Sequence, residues 1–205
     1  MLPYFYFELL IFFSSFYFSS SSVIKKNENT FFFFLSFLFV IVCFFGLRGF
    51  VFTDWINYYY HYETIPNDFK TFIGFINNPK NSSEVGYYFF QFICKQISKN
   101  YFFLQFCSSV VDTLILVFFF RDLNPRNLFL CVFCIAPFKG LEIEINLLRN
   151  SKAIFLFLYS LKYIYGEKKS FVNYFFINLI GCTFHLSAIL YLPLYFILGQ
   201  ISSFR

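Results

Sequence analysis

Tyr101-Phe-Phe-Leu-Gln-Phe-Cys-Ser-Ser-Val-Val-Asp-Thr-Leu-Ile-Leu-Val-Phe-Phe-Phe120 is an apolar run without glycine or proline, closed by the polar turn Arg121 to Asn127. A helix needs about 20 mostly apolar residues to cross a bilayer, because its backbone polar groups must be satisfied within the segment. This stretch is long enough, and others resemble it. Leu2 to Ile24, Phe31 to Leu47, Leu128 to Phe138, Ala153 to Tyr165 and Phe171 to Leu198 are apolar blocks bounded by polar clusters. The first is closed by Lys25, Lys26 and Asn27, and it lacks the basic start and small-residue cleavage site of a signal peptide, so it reads as a span.

Composition agrees. The chain is 59% apolar and 13% charged, which excludes a soluble globular class and fits a membrane protein. Its 39 Phe and 16 Tyr, with many Asn, Ile and Lys, follow the drift of an AT-rich coding sequence and carry no functional information. The net charge of +5 is spread over single or paired basic residues, which gives no support for nucleic-acid binding. Cys43, Cys94, Cys107, Cys131, Cys134 and Cys182 lie in or beside apolar segments and read as small hydrophobes. Cys131 and Cys134 lack the further ligands that a metal site needs. Nothing in the sequence calls for a metal, a nucleotide or another cofactor.

The expected fold is an all-α polytopic membrane protein, one membrane domain over residues 1–205 with about six transmembrane helices. Arg48 to Glu84 is the large polar segment and reads as an extracytoplasmic loop over residues 48–84. Val85 to Ile97 carries Gln91, Lys95 and Gln96 at helical spacing and reads as an interfacial amphipathic helix over residues 85–97. Placing Lys25/Lys26, Arg121/Arg126 and Lys168/Lys169 in the cytoplasm satisfies the positive-inside rule and puts both termini outside. If residues 85–97 cross the membrane instead, the later elements invert.

Ionisable groups within a membrane cost roughly 2.5 to 3.5 kcal/mol at a helix centre, so each asks for a reason. Arg48 leaves a span beside Gly49, and Asp54 follows; an interfacial Arg and a solvated Asp are the simpler account. Glu84 opens the amphipathic helix, where a carboxylate that caps its own helix would suffice. Glu142, Asn146 and Arg149 lie within about 60° on a helix, a carboxylate, an amide and a guanidinium on one face. Such an arginine suits a phosphate; an interfacial ion-pair network of Glu142 with Arg149 or with Lys139 is the alternative. His185 falls roughly 21 Å into the last span at 1.5 Å per residue. It can bond a neighbouring carbonyl or exchange a proton near neutral pH. Asp112, at mid-membrane, can pair with Lys152 or His185, or stay protonated.

Taken in order, Arg48-Gly49 with Asp54 and Tyr58, Glu84-x-Gly86-Tyr87, Asn146-x-x-Arg149, Lys168-Lys169, Phe184-His185-x-Ser187-Ala188 and the apolar run with Pro193 resemble the EpsG-type family of membrane polymerases. These are related in role to Wzy-type polymerases. The resemblance covers about residues 31 to 198, and where such proteins generally continue through further helices this chain stops, which implies a shortened form. It implies an enzyme on the outer face of the bacterial inner membrane that transfers a polyprenyl-pyrophosphate-linked glycan onto another lipid-linked repeat unit. By the same resemblance Arg48 and Arg149 would hold the pyrophosphate leaving group, and one of Asp54, Glu84 or His185 would take the acceptor proton. Tyr87, Asn146 and Glu142 would contact substrate. Membrane lipid and other polysaccharide-assembly proteins are the implied partners. The other class consistent with the residues is a transport or assembly subunit in which Asp112, Arg149 and His185 form a polar relay; an inactive remnant is a third. Convergence of Arg48, Glu84, Arg149 and His185 would favour the polymerase. Asp112 and His185 lining one path, with the arginines apart, would favour transport.

Overall fold

The computed structural model describes residues 28–50, 54–78, 82–123, 147–166 and 169–203, and every regular element among them is helical. The expected spans Leu2 to Ile24 and Leu128 to Phe138, along with Glu142, Asn146, Cys131 and Cys134, lie outside the described residues.

Helix α1 (Glu28–Gly46) covers the expected second span. Gly49 then adopts a left-handed φ of 73°, a conformation open to glycine without steric cost, and the chain turns toward α2 (Trp55–Thr64). Within residues 48–84 the described residues also hold α3 (Phe69–Ile76). Ile65 is extended (φ −60°, ψ 127°) because the ring of Pro66 disfavours helical backbone before it, and this ends α2. Asp68 then starts α3 by accepting the Thr71 N–H at 2.9 Å, a normal N-cap.

A 3-10 turn (Ser82–Glu84) leads into α4 (Val85–Ile97) and then α5 (Tyr101–Leu123). The Asn100 side chain accepts the Phe102 N–H at 2.9 Å and caps α5. Through Tyr101–Phe119, α5 is the helix among the described residues that is long and apolar enough to cross a membrane.

Two expected spans are not continuous helices. In Ala153 to Tyr165, α6 (Leu148–Ser160) and the short α7 (Lys162–Tyr165) are parted at Leu161, whose N–H bonds Leu158 O in the tighter i−3 pattern. In Phe171 to Leu198, α8 (Phe171–Phe184) stops at an extended His185 (φ −153°). A 3-10 turn (Leu186–Tyr191) and α9 (Leu194–Ser203) follow. Pro193 has no N–H, and its ring would strike the Ile189 carbonyl in a continuous helix.

α6 packs between α5 and α8, and α1 runs along α5. The buried cluster Tyr58, Tyr62, Tyr87, Cys94, Tyr101, Leu104 and Leu148 joins α2, α4, α5 and α6, with Cys94 acting as the small hydrophobe expected. A second cluster centres on Phe72 and Phe92, whose rings stack at 4.4 Å.

The amphipathic helix α4 turns two of its three polar positions inward, while Gln96 stays exposed and donates to Asn67 O at 2.9 Å. Gln91 and Lys95 are buried, whereas Phe89, Ile93 and Ile97 are exposed. The Lys95 ammonium donates to the carbonyls of Tyr62, Glu63 and Ile65 at 2.9, 2.8 and 2.7 Å. It thereby satisfies the orphan carbonyls at the C-terminus of α2, where a cation also meets the negative end of the helix dipole.

Candidate functional site

Glu84 ends the 3-10 turn and precedes the first residue of α4, yet its side chain makes no bond to that helix. Glu84 thus holds the N-cap position without a capping hydrogen bond, and its oxygens are used elsewhere. Oε2 accepts a hydrogen bond from Arg149 Nη1, and Oε1 lies 2.7 Å from His185 Nδ1. Three residues far apart in sequence meet here: one before α4, one in the first turn of α6, one at the break after α8.

Local sequence explains the meeting. At Gly86 a Cβ would fall on the Thr183 hydroxyl and press on the Thr183 backbone, so only glycine lets α4 begin this close to the end of α8. Two residues before Gly86 stands Glu84; two after Thr183 stands His185. The extended backbone at His185 swings its imidazole out of the helix line and toward the carboxylate. Arg149 is delivered because α6 begins at Leu148.

The buried member is the carboxylate. Side-chain exposure is 10% for Glu84 against 33% for Arg149 and 29% for His185. The guanidinium and the imidazole are the more open members, and Glu84 holds both from behind.

Beneath Arg149 lies an aromatic wall. The guanidinium carbon is 5.7 Å from the Tyr58 ring centroid, and Tyr58 meets Tyr87 edge-on at 6.2 Å. Burial pushes the Tyr58 phenol up, against the opposing pull of Arg149, and pushes the fully buried Tyr87 well up. Both stay protonated. Tyr87 is thus part of the wall.

Asp54 and Arg48 stand at the margin. The Asp54 carbonyl accepts the N–H groups of Asn57 and Tyr58 at the start of α2, and its charge acts on the Tyr58 hydroxyl. Arg48 Nη1 donates to Phe45 O at 2.9 Å, closing the C-terminus of α1. Of the sequence-derived set, the structure brings Glu84, Arg149 and His185 into direct contact and Tyr87 beneath them.

Asp112 pairs with Lys152, the first of the options read from sequence. Oδ2 is 3.1 Å from Lys152 Nζ and accepts from Ser151 Oγ at 2.9 Å; Lys152 also donates to Leu148 O and Ser108 Oγ. Both charges are almost fully buried. Sequence reading did not place Ser108 or Ser151 in this network; the available signal was that Ser108 stands one helical turn before Asp112 and Ser151 next to Lys152.

The sequence model of the EpsG family matches residues 30–203. The chain belongs to the EpsG family. No curated protein and no solved structure matches it. EpsG membership links the chain to exopolysaccharide biosynthesis, and the matched region contains Glu84, Arg149 and His185, the three residues that meet in this EpsG chain.

Proposed function

We propose that this EpsG-family chain is a polytopic membrane glycan polymerase of the bacterial inner membrane. It transfers a glycan from polyprenyl pyrophosphate to a hydroxyl of a second lipid-linked repeat unit at the outer face. The observation that carries the reading is Glu84 held between Arg149 and His185.

A membrane setting is supported by the direction in which side chains point. Phe171, Val172, Phe176, Leu179 and Ile180 of α8 and Phe196 and Ile197 of α9 are exposed, while Gln91, Gln105, Asp112, Lys152 and Asn178 are buried. Water would favour the reverse; hydrocarbon favours this arrangement. The broken helix at His185 fits the same setting, since irregular backbone at membrane depth is tolerated where it borders a polar site.

With Glu84 accepting from Nδ1–H, His185 is fixed in one tautomer and Nε2 is left as the proton acceptor. That is the arrangement of a general base oriented by a carboxylate. His185 would take the proton of the acceptor hydroxyl as it attacks the anomeric carbon. Arg149 would stabilise the negative charge that grows on the pyrophosphate as the glycosidic bond breaks. In this reading Arg48 and Asp54 act from the margin, and Tyr87 supports the wall under Arg149. Residues 48–84 and α4 lie on the outer side of the membrane.

The transport reading asks for Asp112 and His185 on one path. Here Asp112 goes to Lys152 and Ser151, and His185 goes to Glu84, which speaks against a shared path; of the four residues whose convergence the polymerase reading asks for, Glu84, Arg149 and His185 meet. The test is a strain lacking this gene, with lipid-linked glycans resolved by length. Single repeat units accumulate in the deletion and return to long chains when this 205-residue chain is supplied; long glycans in the deletion would refute the polymerase reading.

A further inference from the structure

α2 carries Tyr58 and His61 one helical turn apart, so the two side chains share an edge of the helix. Tyr58 lies under the Arg149 guanidinium at 5.7 Å. The His61 ring stands 6.1 Å from that of Tyr88 in the first turn of α4, and the charges of Arg149 and Glu84 both act on His61. The Tyr58–His61 edge of α2 therefore borders both members of the Glu84–Arg149 ion pair. His61 is only partly buried, so a ligand can reach it.

We propose that His61 is a second anion ligand of this site and, together with Arg149, binds a phosphate group of a diphosphate ester. The proposal rests on the polymerase reading above and assigns the diphosphate to the α2 side.

Charge balance supports the assignment. The Arg149 cation is already matched by Glu84, while a diphosphate brings further negative charge. The groups facing His61 are Tyr58 and Tyr60 on its own helix, Tyr88 and Glu84 from α4 and the turn before it, and Arg149 from α6. Burial and then the Arg149 cation hold His61 below the ordinary histidine range, with Glu84 opposing. The imidazole is therefore neutral at pH 7 before the ligand binds. An anion that offsets the Arg149 field and accepts a hydrogen bond from His61 favours the imidazolium, so binding draws a proton from solution.

The test uses the purified full chain in detergent and inorganic pyrophosphate as probe. Calorimetry at pH 7 in two buffers of different ionisation enthalpy gives affinity and proton uptake together. The probe's own ionisation being common to all variants, wild-type protein takes up more protons on binding than His61→Gln, which binds about tenfold more weakly through the loss of one charge-assisted hydrogen bond. His61→Arg, already cationic, keeps the affinity but loses that uptake, which separates anion binding from a folding defect. If His61→Gln matches wild type in affinity and uptake while Arg149→Gln binds weakly, the role of His61 is overturned and the polymerase reading stands. If wild type does not bind pyrophosphate, the anion site fails and the reading beneath it loses its support.

Discussion

Glu84 Oε1 lies 2.7 Å from His185 Nδ1, joining residues 101 positions apart, and the other oxygen of the same carboxylate accepts from Arg149. An imidazole, a carboxylate and a guanidinium are thus one hydrogen-bonded unit, which the proposed mechanism uses as base, orienting group and anion-binding cation. Residues that act as a unit lose function together. We expect His185→Gln and Glu84→Gln each to slow glycan transfer by about 10²-fold or more, and the double variant to be no slower than His185→Gln alone. Initial rates in membranes carrying equal amounts of protein check this. Multiplying defects would show that the two residues act separately.

Arg149 offers a planar fork, with one arm on Glu84 and the remaining donors directed elsewhere. Lysine keeps the charge but not the fork. Arg149→Lys is expected to shorten the polymer and raise the concentration of lipid-linked donor needed for half-maximal rate. Normal polymer length on a resolving gel would remove Arg149 from the proposed role.

Much of this was legible in the sequence, for identifiable reasons. Apolar runs of sufficient length announce helices, so α1 and α5 fall where expected. Glu84, Arg149 and His185 stood out because ionisable groups beside apolar segments are costly. Their mutual contact was not readable, since it depends on the close approach of Gly86 to Thr183 and on the break at His185, both tertiary features. For Arg149 the spacing offers a phosphate or, as the alternative, an ion pair with Glu142 two turns away, because local spacing is all that helical periodicity supplies; the carboxylate it meets among the described residues is Glu84. Lys95 shows the same limit. Its spacing marks a polar face, but a sequence does not say whether that face meets water or the end of another helix, and here it caps α2.

The buried pair Asp112–Lys152 joins α5 to α6 one turn beyond Arg149. Removing one partner strands the other charge, at about 3–5 kcal/mol, whereas replacing both with apolar residues costs less. Lys152→Met should therefore lower the thermal midpoint in detergent more than Asp112→Ala combined with Lys152→Met. A double variant that unfolds earlier than the single would contradict this.

Asp68 caps α3 through Thr71, and the Thr71 bonds hold its carboxyl below the usual range. A carboxylate with a depressed folded value stabilises above its unfolded pKa, and that contribution is lost as the pH falls through the depressed value. At neutral pH the Thr71 amide should exchange more slowly in wild type than in Asp68→Ala. The ratio should approach one in acid below the depressed pKa. A ratio that stays constant with pH would mean the cap does not depend on the ionised carboxylate.

The Glu84–Arg149–His185 unit is proposed to transfer a glycan off polyprenyl pyrophosphate. The most direct measurement is the release of polyprenyl pyrophosphate by the purified chain in vesicles supplied with a lipid-linked repeat unit, followed alongside product length. Wild type should liberate polyprenyl pyrophosphate in step with each unit joined, and His185→Gln should show neither at the same protein level. Equal release and equal chain length in the His185→Gln variant would contradict the account.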